Sequence, residues 1–425
     1  MKIGFVIHFF DFRNDVRKVI KLVSQNHDVV LFVRKSDADI IRQHADNVEI
    51  RIVDEQKSSV TNKIWDNAFR FFGKLPQSRQ NYYLMEYFKI SLHERTQIQK
   101  RAYTLLNLSM KLPRFISYDT YLNNIISKRK TLISDIDQFI CFTDISDSYF
   151  FARLLHENKN VKVYVYSWDH PCKHIKYSHK ARYLVWHQGL KQDLIDLQSL
   201  KDTQISIIGA SQFAYIHNFL ARPPAPKPYS FPYLYFGCAI GIPALTLKEI
   251  TVIEQISRWL AELDSPLQLV VRPYPVLTNW SYYENLKVLT NVILDDQFRS
   301  KNLAIEDEQI YEKYNKIAHA EAFIHLGTTM GLEACFISTP SLILDFSDFS
   351  DGNILSLYNF VHQFQNEKYL MTTQAPNVIR SVEQFKTVVS TLGEKKQDML
   401  AYNQEVIRQI PLKSFEDFAQ DLVSN

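Results

Sequence analysis

The chain has 425 residues, of which 46% are hydrophobic, 22% charged and 13% aromatic, with a formal net charge of +3. That length suits two hydrophobic cores better than one, and so small a net charge argues against nucleic-acid binding by bulk charge. The four cysteines, Cys141, Cys172, Cys238 and Cys335, are far apart and form no CxxC. Neither a disulfide framework nor a zinc site is expected, and a reducing compartment follows.

The sequence opens directly on an apolar run, Lys2–Ile7, with no signal-like stretch before it, so a cytoplasmic protein is expected, at most peripheral at the inner face of the plasma membrane. Further strand-like runs follow at Asp28–Val33, Val48–Val53, Gln138–Phe142, Lys162–Tyr166, Ala181–Val185 and Gln204–Ile208. Helix-period segments lie between them at Asp15–Ser24, Ser36–His44, Ser146–His156 and Gly189–Leu197. This alternation predicts an α/β fold with a parallel sheet covered on both faces. Residues 56–131 interrupt it with a helical, aromatic insertion carrying 14 Lys and Arg against four acids. Such a segment is a helical cap or subunit contact, or a basic aromatic surface that rests on an anionic membrane.

Ligands of α/β proteins collect at the carboxyl ends of strands. After the first strand that region holds His8, Asp11, Arg13 and Asp15. Asp15 is read as a helix cap, while His8 and Asp11 are the residues expected to touch a substrate. GxGxxG is absent, which disfavours a dinucleotide cofactor. The next polar strand end is Ser167-Trp-Asp-His170; Trp168 offers a flat apolar face to a sugar ring, and Asp169 beside His170-Pro171 reads equally as a turn.

The segment Arg222–Pro232, with five prolines, reads as a stiff connection between two domains. A second strand series follows at Pro232–Phe236, Leu267–Val271, Val292–Leu294, Ala322–Leu326 and Ser341–Leu344. Its strand ends suit an anion: small residues at Gly237-Cys-Ala-Ile-Gly241, Arg272 before Pro273, and the turn Gly327-Thr328-Thr329. Glu333, one helical turn beyond that turn, is a carboxylate placed to accept bonds from a ribose. Val378–Leu392 and Glu394–Asn425 have helical periodicity. The pairs Asp37/Asp39, Asp135/Asp137 and Asp345/Asp348 read as caps and solvated turns rather than as metal sites, and the GxSxG elbow of many hydrolases is missing.

Five short segments share a further likeness. Tyr166-Ser-Trp-Asp-His-Pro171, Ala181-Arg-Tyr-Leu-Val-Trp-His-Gln188 and Ile207-Ile-Gly-Ala-Ser-Gln-Phe213 resemble, in that order, the "SWDN", "VWN" and "TGAPQFD" strands of bacterial surface-polysaccharide glycosyltransferases of the GT-B type. Val271-Arg-Pro-Tyr-Pro275 and Gly327-Thr-Thr-Met-Gly-Leu-Glu-Ala334 resemble their "VRPHP" and "G-T-S-x-x-x-E-A" segments. His170, Tyr274 and Ala214 depart from the pattern, where Asn, His and Asp are usual.

The resemblance implies two Rossmann-like domains facing a cleft. The first (1–221) would hold a glycan or lipid-linked acceptor through Arg13, Ser167, Trp168 and His170. After a linker at 222–232, the second (233–395) would hold a nucleotide-sugar donor through Arg272, Gly237, Gly327, Thr328, Thr329 and Glu333. Helices in 396–425 would return to the first domain. The implied activity is metal-independent sugar transfer in lipopolysaccharide, capsule or related glycan assembly, without a cofactor. An inverting reaction would use Asp169 as base, with His8 or Asp11 next; a retaining one would need none. A nonhydrolysing UDP-GlcNAc epimerase, a Kdo transferase and a noncatalytic nucleotide- or glycan-binding protein share this outline.

Overall fold

A computed structural model describes residues 1–8, 12–45, 48–53, 59–75, 79–91, 96–125, 131–142, 148–167, 171, 176–274, 279–296, 306–346, 356–357 and 376–424. Asp11, Trp168, Asp169, His170 and Cys172 lie outside them. The chain divides into two compact units, Met1–Ala214 with Ile410–Asn425, and Tyr215–Gln409. Each is α/β with one wholly parallel sheet.

In the first unit the strands are β1 (Lys2–Val6), β2 (Asp28–Arg34), β3 (Glu49–Val53), β4 (Gln138–Phe142), β5 (Asn160–Tyr164), β6 (Arg182–Val185) and β7 (Ile205–Ile207). They lie in the order β3-β2-β1-β4-β5-β6-β7, all parallel. The order reverses at β1 and β4, so the crevice of this sheet opens beyond their carboxyl ends. Its helices are α1 (Asn14–Ser24), α2 (Ala38–Arg42), α3 (Val60–Phe72), α4 (Arg79–Ser91), α5 (Thr96–Met110), α6 (Tyr118–Asn124), α7 (Ser148–His156) and α8 (Gln188–Gln198). The strands form because fully buried runs such as Phe139–Phe142 and Val29–Val33 can satisfy their backbone only in a ladder. Phe32, Phe139 and Phe150 pack ring to ring at 5.3 and 5.4 Å under the sheet.

The second unit begins with α9, whose helix Ala214–Leu220 starts at the boundary. It continues with β8 (Tyr233–Gly237), α10 (Pro243–Glu262), β9 (Gln268–Arg272), α11 (Trp280–Tyr283), β10 (Val292–Leu294), α12 (Asp307–Ala318), β11 (Ala322–His325), α13 (Met330–Phe336), β12 (Ser341–Leu344), β13 (Val378–Ile379), α14 (Val382–Ser390) and α15 (Leu392–Ile407). Its strand order is β10-β9-β8-β11-β12-β13, which places the reversal at β8 and β11.

Three expectations change. The proline-rich stretch 222–232 lies wholly within the second unit: Arg222 stacks over the Tyr311 ring and pairs with Glu308, Asn315 donates to Pro226 O, and Tyr229 stacks on Phe231. Prolines remove backbone donors, but these side-chain contacts hold the segment against α12. Val378–Ile379 is a short edge strand rather than the start of a helix; the neighbouring Asn377 side chain donates to Ser341 O and to Asn403 Oδ1. The carboxyl-terminal region divides at residue 409. α15 stays with the second unit, where Asn403 bonds Thr339 O. A final helix, α16 (Phe415–Ser424), joins the first: Lys162 Nζ and Gln138 Nε2, both buried in the sheet, donate to Val423 O at 2.6 and 3.2 Å. A lysine at a helix carboxyl terminus answers its unpaired carbonyls.

Candidate active site

In the second unit, parallel register sets Gly237, Arg272 and His325 side by side at the carboxyl ends of β8, β9 and β11, at the reversal of strand order. Arg272 is only 5% exposed, so its charge must be answered locally. Asp295, the residue after β10, lies 3.7 Å from Arg272 Nη1 and accepts Lys316 Nζ at 2.7 Å and Tyr235 OH at 2.5 Å. A second pair sits beside it: Lys313 Nζ donates to Glu333 Oε2 at 2.6 Å, and Tyr314 OH to Oε1 at 3.5 Å. Burial lowers the Lys313 pKa, Glu333 pulls it back up, and the nearby Arg272 lowers it further. The cluster thus holds three cations, the buried Arg272 and Lys316 and the partly exposed Lys313, and two buried carboxylates, Asp295 and Glu333, with the more exposed Glu312 reaching Lys316 at 3.3 Å.

The turn after β11 completes this edge. Gly327 has φ +135°, a backbone state that L side chains rarely adopt. Thr328 and Thr329 are half-buried and precede α13, whose Met330 N–H reaches Thr328 Oγ1 at 3.4 Å. The small residue at 237 has a packing reason, because a Cβ there would lie 2.4 Å from the Phe323 ring. Gly331 likewise lets α13 cross His325, whose Nε2 would be 2.5 Å from an added Cβ. His325 is fully buried, 3.1 Å from Ser341 Oγ, and burial pushes its pKa down to about 3, so it is neutral. Behind the loop after β8, the buried Glu249 accepts the Ala239 N–H at 2.9 Å and Tyr283 OH at 3.4 Å, and burial pushes its pKa up to about 8.

In the first unit, His8 follows β1 and turns Nδ1 toward Asp37 Oδ2 at 3.6 Å, an ion-pair distance rather than a hydrogen bond. The carboxylate thus faces the Nδ1 edge of the ring. Asp37 makes no side-chain cap for α2; its carboxylate accepts the Ser36 hydroxyl at 3.0 Å and faces His8 instead. Asp15 is not a cap either. It is buried, accepting Ser211 Oγ at 2.6 Å and Tyr166 OH at 3.2 Å, and burial raises its pKa against the pull of the Ser211 bond. Arg13 occupies the cap position without a capping side chain and stands 5.1 Å over the Tyr166 ring. Ser167 is half-buried next to Tyr166. The carboxyl edge of the first sheet therefore assembles His8, Asp37, Arg13 and Asp15.

Two of the short motifs have local structural duties. Trp186 is buried against Phe213 at 5.5 Å and His187 Nδ1 caps α8 by accepting the Leu190 N–H, while Ser211 serves Asp15. Sequence reasoning missed Asp37, Asp295, Lys313 and Lys316. The signal available for the two lysines was their place on the face of α12 that also carries Tyr314 and Ile317, both buried.

No family model matches the sequence, and no curated protein matches it. The chain is similar in structure to S. aureus MnaA solved with UDP (TM-score 0.48, 9% identity, 99% of this chain and 95% of that one). It is similar to a glycosyltransferase of Rickettsia africae (0.46, 9%, 100% and 99%). It is also similar to the UDP-GlcNAc 2-epimerase of Methanocaldococcus jannaschii solved with UDP-GlcNAc and UDP (0.47, 11%, 99% and 98%). At these identities the likeness is one of fold alone.

Proposed function

We propose that the protein is a GT-B-type glycosyltransferase that moves a sugar from a nucleotide-sugar donor to a glycan or glycolipid acceptor, in surface-polysaccharide assembly. The observation that carries this reading is the buried Arg272 at the carboxyl end of β9, next to Gly237 at the strand-order reversal and on the sheet edge that also carries the Gly327–Thr329 turn. A guanidinium held there with Lys313 and Lys316 close by suits the two phosphates of a nucleoside diphosphate, and the threonine hydroxyls supply neutral donors. As the sugar leaves, charge grows on the diphosphate, and Arg272 with Lys313 opposes it, which is how transfer would proceed without a metal. Glu333 already accepts from Lys313; on binding, ribose hydroxyls would share that carboxylate and release Lys313 toward phosphate. In the first unit, His8 with Asp37 near its Nδ1 is the described residue that would take a proton from an acceptor hydroxyl.

Titration with UDP, GDP, dTDP, CMP and their sugars, followed by melting temperature and product analysis with and without acceptor, tests the reading. Arg272→Ala should weaken nucleotide binding by about 10- to 100-fold. Thr328→Val, on a half-buried side chain outside the ion-pair network, should weaken it less while leaving the fold intact. Unchanged affinity in both variants would remove this edge from the site. Sugar isomerised without acceptor would make the protein an epimerase, and binding with no turnover of any kind a noncatalytic nucleotide-binding protein.

A further inference from the structure

The helical insertion of the first unit presents an apolar surface that nothing described covers. Of the thirteen large hydrophobic residues exposed among the described residues, eight lie between Val60 and Phe115, too concentrated for ordinary surface scatter. On α5 the pattern is regular: Ile98, Leu105, Leu108 and, just past its end, Leu112 follow heptad spacing along one face, each at least 37% exposed. The opposite face is occupied, since Tyr103 stacks on Tyr87 of α4 at 5.4 Å and Asn107 Oδ1 accepts the Tyr87 OH. The helix is therefore pinned from behind with its leucine stripe turned out. Phe115, 69% exposed, extends the surface beside Phe72 at the end of α3.

Charge decides what fits against it. From Thr96 to Ile116 the chain carries Lys100, Arg101, Lys111 and Arg114 and no carboxylate. Arg114 is turned inward to Arg70 O and Tyr83 OH, whereas Lys100, Arg101 and Lys111 flank or share the leucine stripe. A second copy docking through the same stripe about a twofold axis would bring like charges together with no acid to answer them. A lipid surface bearing anionic headgroups answers both features at once, taking the leucines into its interfacial layer and pairing the cations with phosphates. No described helix is long and apolar enough to cross a membrane. We propose that the α5 face, with Phe115, is a peripheral docking surface for an anionic membrane.

The test is flotation of the full-length protein with vesicles of phosphatidylcholine mixed with phosphatidylglycerol, and with phosphatidylcholine alone, at low and high salt. Association is expected with the anionic vesicles only, weakening as salt rises. Lys100→Gln with Lys111→Gln should lower the partition constant by roughly 25-fold, taking about fivefold per charge. Leu105→Ser with Leu108→Ser should lower it by about tenfold or more. All four side chains are solvent-exposed, so unchanged melting temperatures will show that the variants fold. Absence of flotation at low salt overturns the proposal, as does equal binding to both vesicle types unaffected by the lysine changes. A dimer in light scattering that the serine variants dissociate, without vesicle binding, would assign the face to a second copy.

Discussion

Replacing Asp295 by asparagine tests the charge arrangement around Arg272. Asp295 is fully buried, 2.7 Å from Lys316 Nζ and 3.7 Å from Arg272 Nη1; an amide of the same shape leaves two cations facing one another away from water. At an effective permittivity of about 20, the attractions removed are roughly 6 and 4.5 kcal/mol, much of which offsets the cost of burying the ions in the first place. Breaking one partner of such a group costs about 3–5 kcal/mol, out of a total stability of roughly 5–15 kcal/mol. Tyr235 can still donate to the amide oxygen, so the hydroxyl is not orphaned.

Asp295→Asn should therefore lower the melting midpoint of the second unit by roughly 6–20 °C. Urea unfolding followed by circular dichroism gives the free energy, with each unit fitted separately because the two need not unfold together. Adding Lys316→Met should recover part of the loss, since it removes one of the stranded charges. Pyrophosphate should stabilise the single variant more than the parent, because an anion can replace the missing carboxylate. A single-variant loss under about 1 kcal/mol, or a double-variant loss equal to the sum of the parts, would refute the claim that these groups form one electrostatic unit.

Two further outcomes follow from buried groups nearby. Glu249 titrates near 4.5 when unfolded and is pushed up to about 8 when folded, so the folded state binds the extra proton in between and stability should fall as pH rises through that window, by at most roughly 5 kcal/mol. Glu249→Gln should flatten this slope in urea midpoints taken across the window; Asp15 and Asp345, also raised by burial, contribute in the same direction, and an unchanged slope would mean that Glu249 ionises freely. Gly331→Ala should cost about 1–3 kcal/mol in urea unfolding, because its Cβ would meet the buried His325 ring at 2.5 Å; a loss under about 0.5 kcal/mol would show that α13 can shift aside.

The strands and their sequence order were legible because a parallel strand buried on both faces is written as an unbroken apolar run, as in Phe139–Phe142 or Leu269–Val271. Once those runs are placed, the residues that follow them occupy carboxyl ends, and this alone brought His8, Arg272, Gly237 and Gly327 into view. Two-residue β13 was hidden because it is too short to have a period. The proline-rich stretch misled because its composition signals stiffness but not what it packs on.

Partnership is a different kind of information. His8 meets Asp37, Asp15 meets Ser211 across 196 positions, and Lys313 meets Glu333 across 20, all through crossovers whose register no local pattern encodes. The same holds for α16, which an amphipathic pattern shows to be a helix but whose place in the first unit rests on Lys162 and Gln138 reaching Val423 O. The amino-acid sequence thus determined which segments are buried and where their ends fall, because burial depends on the residue itself. Only the tertiary structure decided which charges neutralise one another, because that depends on separations of a few ångströms between residues far apart in the chain.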